Sequence, residues 1–144
     1  MIEDVYQTDL LKLAARARGA GRLSSPDRTA RVDNPLCGDR ITIDLALEGD
    51  VVSAIGYEVK ACVLCQASAS VLAEGAVGRR GDELHVLGQA IEAMLKGRAE
   101  PPGEPWAAFD AFLPVQKAKS RHECVMLPFR ALEEALAPPA SEGS

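Results

Sequence analysis

Residues 41–50 read Ile-Thr-Ile-Asp-Leu-Ala-Leu-Glu-Gly-Asp, an alternation of apolar with polar or small side chains that ends in a turn signal. An apolar residue at every second position is typical of a β-strand with one buried face. Glu48-Gly49-Asp50 favours a hairpin turn, and residues 51–59 supply the return strand. This stretch therefore predicts an antiparallel hairpin.

The N-terminal side of the hairpin predicts one more strand and a helix. Residues 30–35 favour a third strand that ends at Asn34-Pro35. Apolar residues recur at steps of three or four over residues 2–18, which predicts a helix that the following glycines end. The polar and basic stretch of residues 22–31 favours a connecting loop.

The C-terminal side of the hairpin is helical in pattern. Helices are predicted over residues 63–77, 84–95, 106–113 and 123–137. The whole order predicts an α+β fold in which a small antiparallel three-stranded sheet packs against several helices. We expect residues 1–137 to form a single domain and residues 138–144 to be a disordered tail.

Composition limits the classes of function. The chain has 144 residues and a net charge of -5, which makes it a poor candidate for binding nucleic acid. It has no apolar stretch long enough to cross a membrane, and its first residues lack the features of a secretory signal. We therefore expect a cytoplasmic protein, in which spaced cysteines indicate metal binding or catalysis more than disulfides.

The cysteines lie at junctions between the predicted elements, at positions 37, 62, 65 and 124. A helix N-terminus favours the thiolate form, which binds metals and attacks sulfur. Asp39, in the same turn as Cys37, offers an oxygen ligand that would complete a tetrahedron with three thiolates. The spacing is unlike that of zinc fingers, so the site depends on distant segments coming together.

Three segments resemble the U-type iron–sulfur cluster assembly proteins, the IscU/SufU-like family. Asn34-Pro35-Leu36-Cys37-Gly38-Asp39 is similar to that family's Asn-Pro-x-Cys-Gly-Asp motif. Cys62 with the following Ala67-Ser68-Ala69-Ser70 is similar to its second cysteine segment, and residues 121–127 resemble the third. The resemblance runs from about residue 5 to residue 136 and is nearer to the SufU-like branch, with which Arg121 and Phe129 also agree.

The resemblance implies a sulfur acceptor or scaffold. Cys37, Asp39, Cys62 and Cys124 would hold Zn²⁺ and/or a [2Fe–2S] cluster, and Cys37 or Cys124 would accept sulfur. Arg121 would lie beside the site and stabilise negative charge on a thiolate or persulfide. The implied partners are a cysteine desulfurase, which donates the sulfur, and downstream iron–sulfur carriers or apo-proteins. Neither nucleic acid nor a membrane is expected as a partner.

Two other classes of protein stay open. Cys62-Val63-Leu64-Cys65 after a strand and before a helix is the arrangement of a dithiol oxidoreductase, although the hairpin before it is not a βαβ unit. A purely structural zinc domain is the other alternative. Cys65 itself is interpreted as a core-filling side chain or an auxiliary thiol, and His122 as a spare ligand or a residue directed elsewhere.

Overall fold

The computed structural model of the chain describes residues 10–16, 20–34, 38–104 and 106–137. Three strands form one antiparallel sheet in the order β1-β2-β3: β1 (Arg28–Asn34), β2 (Asp39–Glu48) and β3 (Val51–Lys60). The predicted hairpin and the three-stranded sheet are confirmed. β1 begins two residues before the predicted start, because Arg28 pairs with Leu45 of β2.

Helices account for most of the remaining described residues. They are α1, of which residues 10–16 are described, α2 (Val63–Ala76), α3 (Gly81–Leu95) and α4 (His122–Leu136), with 3-10 helices over Ala107–Lys117 and Lys119–Arg121. The α+β class is thus confirmed. The remainder of the predicted first helix and the predicted tail lie outside the described residues. None of the described helices combines the length and apolarity needed to cross a bilayer.

The start of α3 differs from its prediction for a local reason. The helix begins at Gly81, three residues before the predicted start. The Arg80 N–H donates to Glu83 Oε1 at 2.9 Å, which satisfies a backbone donor at the helix end. This side-chain cap lengthens the helix beyond its apolar repeat.

One face of the sheet carries the core. Ile41, Ile43 and Leu45 alternate along β2 and are almost completely buried, and α4 packs across β1 and β2 while also contacting α2. Asp39 shares this parity with Ile41, so its side chain lies on the core face, at the end of the strand. The fold therefore places one carboxylate at the edge of an otherwise apolar layer.

The opposite face of the sheet is crossed by the segment that follows α1. The Gly21 N–H donates to the Tyr57 carbonyl at 2.7 Å. A Cβ on Gly56 would lie 2.4 Å from the Gly21 carbonyl oxygen. Only a glycine at position 56 lets the segment approach β3 this closely.

Asp44 anchors the crossing segment from β2. Its buried carboxylate accepts hydrogen bonds from Arg22 Nε at 2.6 Å, Thr29 Oγ1 at 2.6 Å and the Leu23 N–H at 3.0 Å. Burial by itself would raise the pKa of Asp44, but these hydrogen bonds outweigh burial and lower it. The ionised carboxylate therefore stabilises the fold.

We expect Asp44→Asn to lower the free energy of unfolding at pH 7 by about 1–3 kcal/mol, because it removes a buried charged acceptor. The folded-state pKa lies below the unfolded value of about 4. The stabilisation is therefore complete above pH 4 and is lost as the pH falls through the folded pKa. Urea unfolding between pH 7 and pH 3 measures both effects.

Asp33→Asn is the matched control, since Asp33 pairs with Arg40 at 2.6 Å while both side chains are about half exposed. Asp33→Asn should lower the free energy of unfolding by about 1 kcal/mol or less. Equal losses for the two variants would contradict the assigned role of Asp44.

Candidate metal site

Strand pairing brings the first two candidate ligands together. In the antiparallel pair of β2 and β3, Arg40 lies opposite Lys60. Asp39 precedes Arg40 at the start of β2, and Cys62 follows Lys60 by two residues at the start of α2. The beginning of one strand and the end of the other meet at the same edge of the sheet, so the two side chains are neighbours in space.

The third candidate comes from the last helix. Cys124 lies in the first turn of α4, where backbone N–H groups and the helix dipole favour a thiolate. The buried Ser68 hydroxyl of α2 donates to the Val125 carbonyl at 2.7 Å. This hydrogen bond ties the start of α4 to α2 one residue beyond Cys124, and so fixes the thiol relative to Cys62.

The three side chains form a compact cluster. One ligand atom from each of Asp39, Cys62 and Cys124 lies within 4.8 Å of the other two. Ligand atoms around one tetrahedral zinc are about 3.3–3.8 Å apart, since Zn–O and Zn–S bonds measure about 2.0–2.3 Å. Small movements of the side chains would therefore allow all three ligand atoms to bind one ion. Asp39 and Cys124 are 6% and 5% exposed, and Cys62 is half-buried.

The donor atoms of the cluster fit a cation. Asp39 Oδ2 is buried and has no hydrogen-bond partner among the described residues. The Cys62 thiol makes no capping hydrogen bond to α2, although Cys62 is the N-cap residue. A buried carboxylate oxygen without a partner is costly, and a bound metal ion would remove that cost.

The electrostatics of Cys124 agree with this interpretation. Burial raises the pKa of its thiol. Cys62 and Asp39 raise it further, because their negative charge disfavours another thiolate and their hydrogen bonds with Cys124 favour the protonated thiol. A divalent cation at the centre of the cluster would reverse the effect and favour thiolates. The cluster is therefore suited to holding positive charge.

One predicted site residue lies outside the described residues, and another is not part of the described cluster. Cys37 lies outside the described residues. The described residues on either side are linked, since the Gly38 N–H donates to the Asn34 carbonyl at 2.8 Å, and Gly38 has a φ of +73° that favours glycine. Arg121 is exposed at the end of the turn before α4, and its guanidinium forms no ion pair with any other described residue.

His122 and Glu123 are directed elsewhere. His122 Nε2 lies 3.1 Å from the Val115 carbonyl and 3.2 Å from that of Gln116, an arrangement in which the ring N–H donates to these oxygens. Glu123 accepts a hydrogen bond from Arg130 at 2.9 Å. The metal-ligating groups found among the described residues include neither side chain.

Cys65 borders the cluster without belonging to it. It is fully buried, as the core-filling interpretation predicts. Burial raises the pKa of its thiol, and the charges of Cys62 and Asp39 add to the effect. Sequence reasoning did not assign a role to Ser68; the available signal was a polar side chain within a helix of small apolar residues.

Comparison with known proteins shows a family match over most of the chain. The sequence model of the family described as NifU-like N terminal domain matches residues 5–137. A crystal structure of a nitrogen-fixing NifU-like protein (N-terminal) from Brucella abortus superposes with a TM-score of 0.87 at 36% identity, covering 94% of each chain.

Two curated relatives share the similarity. The iron-sulfur cluster assembly scaffold protein IscU of Thermotoga maritima is 30% identical over 132 residues, which cover 92% of each chain. The zinc-dependent sulfurtransferase SufU of Bacillus subtilis is 28% identical over 106 residues, covering 74% of this chain and 72% of the relative.

We expect Ser68→Ala to weaken metal binding, because the start of α4 loses its hydrogen bond to α2 and Cys124 is less well positioned. Titration with Co²⁺, followed by the absorption of cobalt–thiolate bonds, measures the affinity. A positioning partner of this kind typically contributes about 10–100-fold to metal affinity.

Ser70→Ala is the matched control. Ser70 is equally buried in α2, but its hydroxyl hydrogen-bonds the side chain of Tyr57. Burial raises the pKa of that tyrosine. Both variants should unfold at lower urea concentrations than the wild type. If they lost the same cobalt affinity, Ser68 would have no specific role in the site.

Proposed function

The chain belongs to the NifU-like N-terminal domain family of iron–sulfur cluster scaffolds, and on that premise we propose that it accepts sulfur from a cysteine desulfurase. The observation that carries the proposal is the cluster of Asp39, Cys62 and Cys124 at one edge of the sheet. Two thiols and a carboxylate whose Oδ2 has no hydrogen-bond partner among the described residues form a site for a thiophilic cation and for sulfur chemistry.

The proposed ligand set adds Cys37 to the described cluster. Cys37 stands two residues before Asp39 in the sequence, and with it the donors would be three thiolates and one carboxylate, a complete tetrahedron. Bound zinc would supply positive charge that keeps the thiols deprotonated. The Bacillus relative is named zinc-dependent and the Thermotoga relative a scaffold, so we include both zinc and a nascent [2Fe–2S] cluster as occupants.

The sulfur step uses thiol–persulfide exchange. A thiolate of Cys124 or Cys37 attacks the outer sulfur of the desulfurase persulfide; the new S–S bond forms as the old one breaks, and the desulfurase cysteine leaves as a thiolate. No net oxidation occurs. Arg121, an exposed residue just before α4, would stabilise the negative charge of the persulfide.

The types of ligand in the site would allow the bound metal or cluster to be released to a downstream carrier or apo-protein. Asp39 is the hardest donor of the set, and its bond to a soft metal or cluster is the least covalent. It therefore gives the site a ligand that exchanges readily. We place this activity in the cytoplasm, where reduced thiols are maintained.

The protein as isolated should carry about one zinc ion per chain. Because zinc binds the folded state, its removal by a chelator should lower the free energy of unfolding, by about 4 kcal/mol where free zinc had been a thousandfold above the dissociation constant. Elemental analysis and thermal unfolding measure the two quantities. Metal-free protein that melts no lower than the zinc form would contradict the proposal.

Single cysteine variants test which thiols carry the function. Cys37→Ala, Cys62→Ala and Cys124→Ala should each fail to stimulate sulfide release by a cognate cysteine desulfurase supplied with cysteine and excess dithiothreitol. The physical reason is that each removes a ligand or an acceptor from a single site.

Cys65→Ser is the internal control, since Cys65 lies outside the cluster. With the reductant in excess it should keep its metal and most of its stimulation. A Cys65→Ser protein as inactive as Cys124→Ala under these conditions would instead support a dithiol oxidoreductase.

A further inference from the structure

Cys62 and Cys65 lie one turn apart at the start of α2. The Gln66 N–H donates to the Cys62 carbonyl at 3.1 Å, so Cys62 is joined to the first helical turn. Across three helical steps the Cα–Cα distance is about 5 Å, which falls inside the range of about 4.4–6.8 Å found for disulfides. The backbone at this position thus permits a bond between the two sulfur atoms.

The two thiols differ in access. Cys62 is half-buried and belongs to the cluster with Cys124, whereas Cys65 is completely buried below it. A sulfur donor from outside can therefore reach the cluster but not Cys65.

We propose that Cys65 releases the outer sulfur of a Cys62 persulfide as sulfide, by forming a Cys62–Cys65 disulfide. This inference rests on the proposed function, which brings sulfur to the site. A persulfide on Cys124 passes its outer sulfur to the Cys62 thiolate, which lies within 4.8 Å of it, and Cys124 leaves as a thiolate.

The release step balances without an added reductant. The Cys65 thiol passes its proton to the outer sulfur of the Cys62 persulfide anion, the resulting Cys65 thiolate attacks the inner sulfur, and the bond between inner and outer sulfur breaks as the outer sulfur leaves as HS⁻. The departing sulfur gains two electrons, and the two cysteine sulfurs supply them as they join. A dithiol reductant then restores both thiols for another turn.

The buried position of Cys65 explains why this step would be selective. The thiol is shielded from dissolved oxidants, so it remains reduced until a persulfide forms on Cys62. The internal step also delivers sulfide inside the ligand cluster, where a metal-bound product would be assembled. Cys65 is thereby a catalytic residue for sulfide release and is not required for sulfur acceptance.

A single-turnover experiment tests the proposal. Wild type, Cys65→Ser and Cys65→Ala are each mixed with a cognate cysteine desulfurase and a small molar excess of cysteine over the chain, without any reductant. Released sulfide is measured, and the protein is alkylated and examined by mass spectrometry. Cys65→Ala keeps an apolar side chain in the core, and so guards against a folding defect in the serine variant.

Wild type should release about one sulfide per chain and then stop, with a disulfide joining Cys62 to Cys65. Both Cys65 variants should retain one added sulfur atom as a persulfide and release about tenfold less sulfide. Dithiothreitol should restore sulfide release by the variants, since it replaces the missing thiol.

Two results would overturn the inference while leaving sulfur acceptance intact: a stable persulfide on wild type equal to that on the variants, or a Cys62–Cys124 disulfide in all three proteins. If neither wild type nor variants acquired sulfur from a desulfurase that carries its own persulfide, the proposed function would itself fail. The two failures are therefore distinguishable by mass alone.

Discussion

The antiparallel pairing of β2 with β3 is the constraint on which the site depends. It sets Arg40 opposite Lys60, and thereby brings Asp39, the first residue of β2, to the same edge as Cys62, which lies two residues after β3. A register slip of one residue would move Asp39 to the opposite face, where the buried Asp44 carboxylate already pairs with the exposed Arg22. The hydrophobic alternation of β2 that builds the core therefore also directs the Asp39 carboxylate to the core face of the sheet.

Without a bound cation, the cluster is energetically unfavourable, although the fold around it is well packed. A buried carboxylate oxygen without a hydrogen bond and a thiol whose pKa is raised by burial and by neighbouring anions both disfavour the ligand-free arrangement. The surrounding packing offsets that cost, notably α4 against the sheet and the Ser68 bond to α4. A positive charge bound at the cluster would remove both of these costs.

The sequence predicted the sheet and the family well because both rest on local signals: the alternation from Ile41 onwards and three short cysteine segments. It also placed Cys62 and Cys124 correctly at helix starts. It did not predict the contact of Ser68 with α4, since that bond joins segments far apart in the chain. Neither did it predict that Glu123 turns away to Arg130. The assignment of Cys37 as a ligand stays a prediction.

The position of Cys124 on the last helix has a kinetic consequence. An ion held by Asp39, Cys62 and Cys124 would link the hairpin, the start of α2 and the start of α4, adding to their packing and to the hydrogen bond from Ser68 to the Val125 carbonyl. Detachment of α4 then requires a metal–ligand bond to break first. Since such a link forms late, once the sheet edge and both helices are in place, it slows unfolding while leaving the folding rate almost unchanged. The loaded protein is thereby distinguished from the empty one mainly by how long it persists.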